Sequence, residues 1–553
     1  MHATHHTRLR RILLSVWAML LTEACLTAGE LSVPQSYPSI QFAINAAKSG
    51  DVVLVTPGIY RERLKLKEGI TVRSTGDDAK GKLGLKRAEA TIIDGGSAND
   101  LAGVIMSEGS VLDGFTVTNV GTYDDAEWQK HHATQGNDQP HEHIGAPGVA
   151  GISITGVTCV VTNNIVHHIG YTGIGITGVE GHRCSPTILR NTCYRNMGGG
   201  IGSMRGSTAI IEGNVCFQNF YAGIGHEAAD PLVLNNECFE NIRAGIGVSE
   251  GARPVVRGNR CYKNRRAGIG IRTGVETSPI IEFNECFEND MAGIGCEEES
   301  TPIIRGNKCH HNRMAGIGTQ DGAAPLISKN ECLHNELSGI GARDRARPLI
   351  HENEVANNKL SGIGVESQAQ AAILGNSCRD NGLVALGIRN GSAVLVANNS
   401  FERTGGMPPL IAVRENATAT LLDNKLKGGG VTSILADGTV FALRNEFTGT
   451  GTDKGGPPGS AIWAQKNSKV LMAECRVDGC RTALQADGAQ QVTALDNQVW
   501  HFAGAAFNVR NTNGPARLSG NIAYTERETD KVLSFDEQGL IATNEVRLNS
   551  QSK

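Results

Sequence analysis

The sequence predicts an all-β chain built as a solenoid of stacked short coils, not as a layered domain. Three observations predict it. The tripeptide Gly-Ile-Gly recurs from Gly173-Ile174-Gly175 to Gly362-Ile363-Gly364 at spacings of 27, 23, 22, 23, 25, 23, 23 and 23 residues. A fixed period of this size marks stacked supersecondary units. An asparagine column (Asn191, Asn214, Asn236, Asn259, Asn284, Asn307, Asn330, Asn353, Asn376) keeps the same step. Two residues further on runs a cysteine column: Cys193, Cys216, Cys238, Cys261, Cys286, Cys309, Cys332, then Val355, then Cys378. Within one period, as in "TPIIRGNKCHHNRMAGIG" (Thr301 to Gly318), three short β-type runs are bounded by turn residues and no helical stripe appears. Glycine is abundant (69 of 553 residues) and aromatics are few, which suits many tight turns. Lys plus Arg (52) nearly balances Asp plus Glu (56), so net charge implies neither a nucleic acid nor a membrane surface as partner.

From the N-terminus, His2 to Arg11 is basic and "ILLSVWAMLL" (Ile12 to Leu21) is apolar but short for a membrane span. Residues 1–28 therefore read as a signal peptide cleaved near Ala28, which predicts an exported protein: periplasmic, cell-surface or extracellular. Lipid anchoring at Cys25 is the alternative, although Thr22-Glu23-Ala24 is a poor lipobox. Residues 29–120 are read as a cap with a short helix (Ile40 to Lys48) and the first coils. Residues 121–148 are a His- and acid-rich loop insert, 149–395 the regular repeats, 396–527 degenerate coils and 528–553 a terminal cap and tail. The count is about 17 or 18 coils of 22–25 residues, a rod of roughly 80 to 90 Å at ~4.8 Å per coil.

Asparagine tolerates the left-handed conformation, so the asparagine column is expected at one-residue corners, with each amide bonding the next coil's. Valine in the cysteine series marks an inward, small apolar position. The columns, the period and three strands per coil resemble the single-stranded right-handed parallel β-helix of the pectate-lyase-like superfamily. "SYPSIQFAINAAKSGDVVLVTPGIYRERLKLKEGITVRS" (Ser36 to Ser74) resembles that superfamily's N-terminal cap, and "ATIIDGG" and "GSVLDGFTVTN" its first coils. The regular coils resemble NosD-like and carbohydrate-binding/sugar-hydrolase repeats. That resemblance implies fold more than function, because the fold hosts unrelated chemistries.

Side chains alternate along a strand, so the isoleucine of Gly-Ile-Gly is read as buried and both glycines as facing outward. Two bare rows would then run up one face for some 40 Å. One reading is that the glycines serve tight bends. The other is that a linear polymer or a second protein layer must come close. The resemblance implies that this strand floors a substrate cleft. Beside it lies a polar edge with Arg272, Glu297, Arg343 and Glu366, and one loop position on Asp321 and Asp344. The edge is either a solvated face or a hydrogen-bonding rim for sugars, with carboxylates that suit Ca2+. Lyases of this fold typically pair bound calcium with a basic Arg or Lys; that arrangement has no residue-by-residue match here.

His226 stands where the neighbouring coils carry an inward residue, followed by Glu227 and, three residues on, Asp230. These three are the candidate catalytic group, against a structural buried histidine. In the insert, His131, His132, His141 and His143, with nearby acids, are candidate ligands for a transition metal, against a lid or an inert loop. The cysteine column is read as a thiol stack of small hydrophobes, and Cys475 and Cys480 as a pair that could bridge. Three functions follow as expectations: binding, with or without cleavage or modification, of a polysaccharide along the Gly-Ile-Gly face; a non-catalytic scaffold; or a NosD-like periplasmic metal-site accessory protein. Whether the chain is an enzyme is left open by the sequence.

Overall fold

The computed structural model describes residues 28–134, 148–403, 408–449, 459–535, 540–542 and 544–548. Three parallel sheets run along a solenoid, each strand pairing with its equivalent one coil away. In the coil around residue 305 the first sheet holds Ile303–Arg305, the second Lys308–His310 and the third Ile317–Thr319. The first sheet has 21 strands, so the solenoid has about 21 turns and is roughly 100 Å long. The sequence count of 17 or 18 fell short because the early coils lack the Gly-Ile-Gly and asparagine marks. The C-terminal cap and tail expected from residue 528 instead carry further coil strands at Lys531–Phe535, Leu540–Ala542 and Glu545–Leu548.

Helix α1 (Ile40–Ala46) closes the N-terminal end. Ser39 caps it by accepting from the Phe42 amide at 3.3 Å, and Ile40, Ala43 and Ile44 are buried. A short helix α2 (Lys86–Ala90) carries Arg87, which donates to Asp113 and Asp78. In the regular coils the inward isoleucines of the first and third sheets and the inward cysteines of the second share one continuous core.

Two asparagine ladders pin the coils. In the first, Asn307 Nδ2 donates to Ile281 O at 2.9 Å and to Asn330 Oδ1 at 3.0 Å, and the pattern repeats coil after coil. The second runs from Asn196 through Asn219, Asn241, Asn264, Asn289, Asn312, Asn335 and Asn358 to Asn381. The asparagine is not itself the left-handed residue. The residue before it is: Phe283 (φ 55°), Gly306 (φ 63°) and Lys329 (φ 55°) precede Asn284, Asn307 and Asn330. The amide ladder overdetermines the corner, so even phenylalanine is held at positive φ there.

The thirteen described cysteines are all free and buried, Cys193 to Cys332 in register with one another. Burial raises the thiols of Cys193 and Cys238 well above the ordinary range. Cys475 and Cys480 do not bridge. Cys475 replaces an asparagine in the first ladder, its amide donating to Asn497 Oδ1 at 2.9 Å. These thiols should resist a water-soluble thiol reagent in the native state and react on unfolding. Rapid native labelling would mean that the stack opens.

Candidate functional site

The two glycines of each Gly-Ile-Gly do different things. The first is buried. A Cβ on Gly268 would lie 2.7 Å from Gly293 O, 2.9 Å from Asn289 Nδ2 and 3.1 Å from Cys286 Cβ. The same crowding recurs at Gly245, Gly293 and Gly316. This corrects the expectation of two outward rows: one row is folded under the second asparagine ladder. The second glycine does face out. A Cβ on Gly225 would meet nothing within 4 Å, and one on Gly247, Gly270, Gly295 or Gly318 would meet only an alanine methyl at 3.6–3.7 Å as its nearest neighbour. From Gly202 to Gly341 neither space nor backbone conformation requires glycine in this row, whereas a Cβ on Gly364 or Gly387 would press on Ser361 at 3.1 Å or Val384 at 3.3 Å.

That row, from Gly202 to Gly387, floors a groove of ≈ 830 Å³. Nine coils at ~4.8 Å make the bare floor roughly 40 Å long. At Ala412 and Leu435 side chains begin to fill it. One wall comes from the residue before each Ala-Gly or Ser-Gly: Tyr221, Arg243, Arg266, Met291, Met314, Leu337, Leu360. The other wall is the polar edge. Along it Gln320 donates to Glu297 at 2.8 Å, Arg343 to Gln320 at 2.8 Å and Arg389 to Glu366 at 2.6 Å. Arg343 also lies 3.5 Å from Asp344. Arg272 makes no ion pair among the described residues. The groove lining carries six arginines and three glutamates, an excess of three positive charges on a chain of net charge −4.

The walls feel each other across the floor in the first coils. Burial, then Arg266 and Arg272, push the Arg243 guanidinium down to about 10. Burial also lowers Arg266, with Arg272 adding to it and Glu297 opposing. Tyr171 is raised by burial and by Glu227. Tyrosine, guanidinium and carboxylate are therefore grouped at this end of the groove.

The strand alternation separates the candidate catalytic group. His226 points into the core, 1 % exposed, with neither ring nitrogen hydrogen-bonded. Burial pushes its pKa down to about 3. Glu227 faces outward at the groove, and Asp230 is exposed and paired with Arg253. The structure does not bring the three together. Asp321 is exposed on the turn beyond the polar wall, its backbone carbonyl accepting from Glu299.

Part of the insert is a helix, α3 (Asp125–Ala133), and not a loop. Asp124 caps it, acids fill its first turn and Lys130, His131 and His132 its last. Trp128 anchors it on Met197, Phe220 and Ile242, donating to Gln218 O at 2.8 Å, with Arg195 over its ring at 3.7 Å. His131 bonds Glu127 at 2.8 Å and packs edge-on against Phe220; His132 stacks on Trp128. His141, His143 and the signal-peptide segment with Cys25 lie outside the described residues. Among the described residues no three His, Cys, Asp or Glu side chains converge as a metal site. No described helix is long and apolar enough to cross a membrane.

The sequence profile of the right handed beta helix region matches residues 143–277 and 270–401. In fold the chain is a parallel β-helix of three sheets, and the match over residues 143–401 is to the right-handed form. Among solved structures it is similar to the periplasmic alginate epimerase AlgG, with 16% identity over 54% of this chain and 76% of that one, at a TM-score of 0.41. It is also similar to the A-module of the Azotobacter vinelandii mannuronan C-5 epimerase AlgE4, with 15% identity, 69% and 88% coverage and a TM-score of 0.30. The catalytic domain of a GH87 alpha-1,3-glucanase in complex with nigerose gives 13% identity, 65% and 66% coverage and a TM-score of 0.36. These likenesses are of fold alone. No curated protein sequence matches the chain.

Proposed function

We propose that the protein is exported and that its groove binds an extended acidic polysaccharide, which it holds for modification or recognition. The observation that carries this reading is the outward glycine row, which the coil does not need from Gly202 to Gly341 and which leaves bare backbone for a flat polymer to approach. The polar wall offers amide, guanidinium and carboxylate groups at one coil's spacing, suited to sugar hydroxyls. The excess of three arginines favours uronate or other acidic units over neutral ones. Turnover would belong to the first coils of the groove, which carry Tyr171, Tyr221, Glu227, Arg243 and Arg272 along one stretch of its lining.

The test is retention of the mature protein on immobilised uronate-containing and neutral polymers, with and without calcium, alongside reducing ends and unsaturated-uronate absorbance. Retention on the acidic polymers is expected and should fall as salt shortens the screening length below ~10 Å. Arg272→Glu should weaken it by about tenfold, the effect of reversing one partly buried charge contact. Equal retention on neutral and acidic polymers at all salt concentrations would remove the electrostatic part of the reading. No retention and no turnover on any polymer would sink it and favour the scaffold.

A further inference from the structure

The wall formed by the residue before Ala-Gly or Ser-Gly changes character abruptly. In consecutive coils it reads Tyr221, Arg243, Arg266, then Met291, Met314, Leu337 and Leu360, and Leu383, before Val384-Ala385, continues it in register. The position accepts tyrosine, arginine, methionine or leucine within one coil geometry, so packing does not dictate the switch. The leucines are not core residues: Leu337 is 39%, Leu360 43% and Leu383 50% exposed. Facing them over the glycine floor stands the hydrogen-bonding row Glu297, Gln320, Arg343, Glu366, Arg389. For five coils the groove is thus apolar on one side and polar on the other.

We infer that this stretch takes a glycan carrying O-acyl groups along one edge, with the acyl groups against Met291–Leu383 and the free hydroxyls or carboxylates against the polar row. The inference rests on the polysaccharide reading above and names the substrate class within it. Three features favour this occupant. An acyl chain lying lengthwise would desolvate the charged and amide groups of the polar row and offer them no hydrogen bond in exchange for water. An extended peptide repeats its same-side residues every ~6.8 Å, out of step with apolar residues that recur each coil at ~4.8 Å. A pyranose in an extended polymer advances by close to one coil, so acyl groups on one edge, recurring at every residue or at every second residue of a twofold ribbon, stay in step with the coils. The acyl group needs an apolar neighbour at that step, and the wall supplies one side chain per coil.

The experiment compares retention on chemically O-acetylated polygalacturonate and on the same polymer after mild alkaline de-esterification. Wild type is expected to hold the acetylated form about tenfold more tightly, the gain from burying two methyl-sized groups. Leu337→Ser with Leu360→Ser, both at exposed positions, should erase that preference, bringing retention on the acetylated form down to that on the de-esterified form. Equal retention on both forms by wild type would overturn the inference and leave the polysaccharide reading standing. Retention on neither form would instead count against that reading itself. A serine variant that loses both forms equally, or a wild type that self-associates through this wall where the variant does not, would also overturn it. The second result would assign the wall to another copy of the chain.

Discussion

Gly268→Ala is expected to lower the denaturation midpoint sharply, and Gly270→Ala, two residues on, to leave it unchanged or raise it. The first methyl has no room. It would sit 2.7 Å from a backbone carbonyl of the next coil and 2.9 Å from the amide nitrogen of Asn289. The coil must open or the asparagine must turn away. Overpacking costs about 1–3 kcal/mol, and each ladder hydrogen bond lost adds about 1 kcal/mol. Because the ladder is shared between coils, the strain spreads to neighbours. At Gly270 the nearest atom to a new methyl is Ala244 Cβ at 3.6 Å, and the backbone is not in the left-handed region. There the reduced entropy of the unfolded chain predicts a gain of up to about 1 kcal/mol. Paired urea titrations decide it. Equal losses at both sites would mean that both glycines serve the bend, and the bare floor would lose its claim to function. A tolerated Gly270→Ala that weakens polymer retention would tie the floor to the ligand.

The period, the inward isoleucines and the inward thiols were legible because every coil rebuilds the same environment, so each position is tested many times within one chain. Val355 in the cysteine column is enough to fix its character. The first ladder was legible for the same reason. The roles at the corners were not. The left-handed position is Gly213, Gly258, Gly306 or Gly375 in some coils but Phe283, Lys329 or Glu352 in others, so the glycines that mark it do not run as a column. The second asparagine stood in the repeat, but its consequence, the crowding of the first glycine, depends on how tightly the turn closes. Helix α3 had its marks in the sequence: Asp124 before an acidic first turn and a basic last turn. They were hidden by a surrounding stretch rich in histidine. The groove was half legible. Its polar wall follows by alternation from Gly-Ile-Gly. Its other wall lies beyond a turn, and Arg243, Met291 and Leu337 could be given a face only once that turn was seen.

His226→Ile is expected to stabilise the protein, and increasingly so as the pH falls. The position is filled by Ile271 two coils on and by Val248 in the next, so an apolar branched side chain fits the site. Wild type buries two ring nitrogens with no hydrogen-bond partner, at a cost of about 1–3 kcal/mol that isoleucine removes. Burial pushes the imidazole down from 6.5 to about 3. Between those values the unfolded chain binds a proton that the folded chain does not. Wild-type stability therefore falls as the pH drops from 6.5 towards 3, by ~1.4 kcal/mol per pH unit. Carboxylates elsewhere titrate in both proteins, so the difference between the two unfolding curves isolates this residue. The gap should widen below pH 6.5 and be flat above it. The same variant addresses chemistry. The ring lies beneath the floor while Glu227 faces the groove, so polymer retention and any turnover should survive the substitution. A pH-independent gap would mean that the imidazole has a partner or stays charged. Loss of turnover with an intact fold would mean that the floor opens and that His226 reaches the ligand from below.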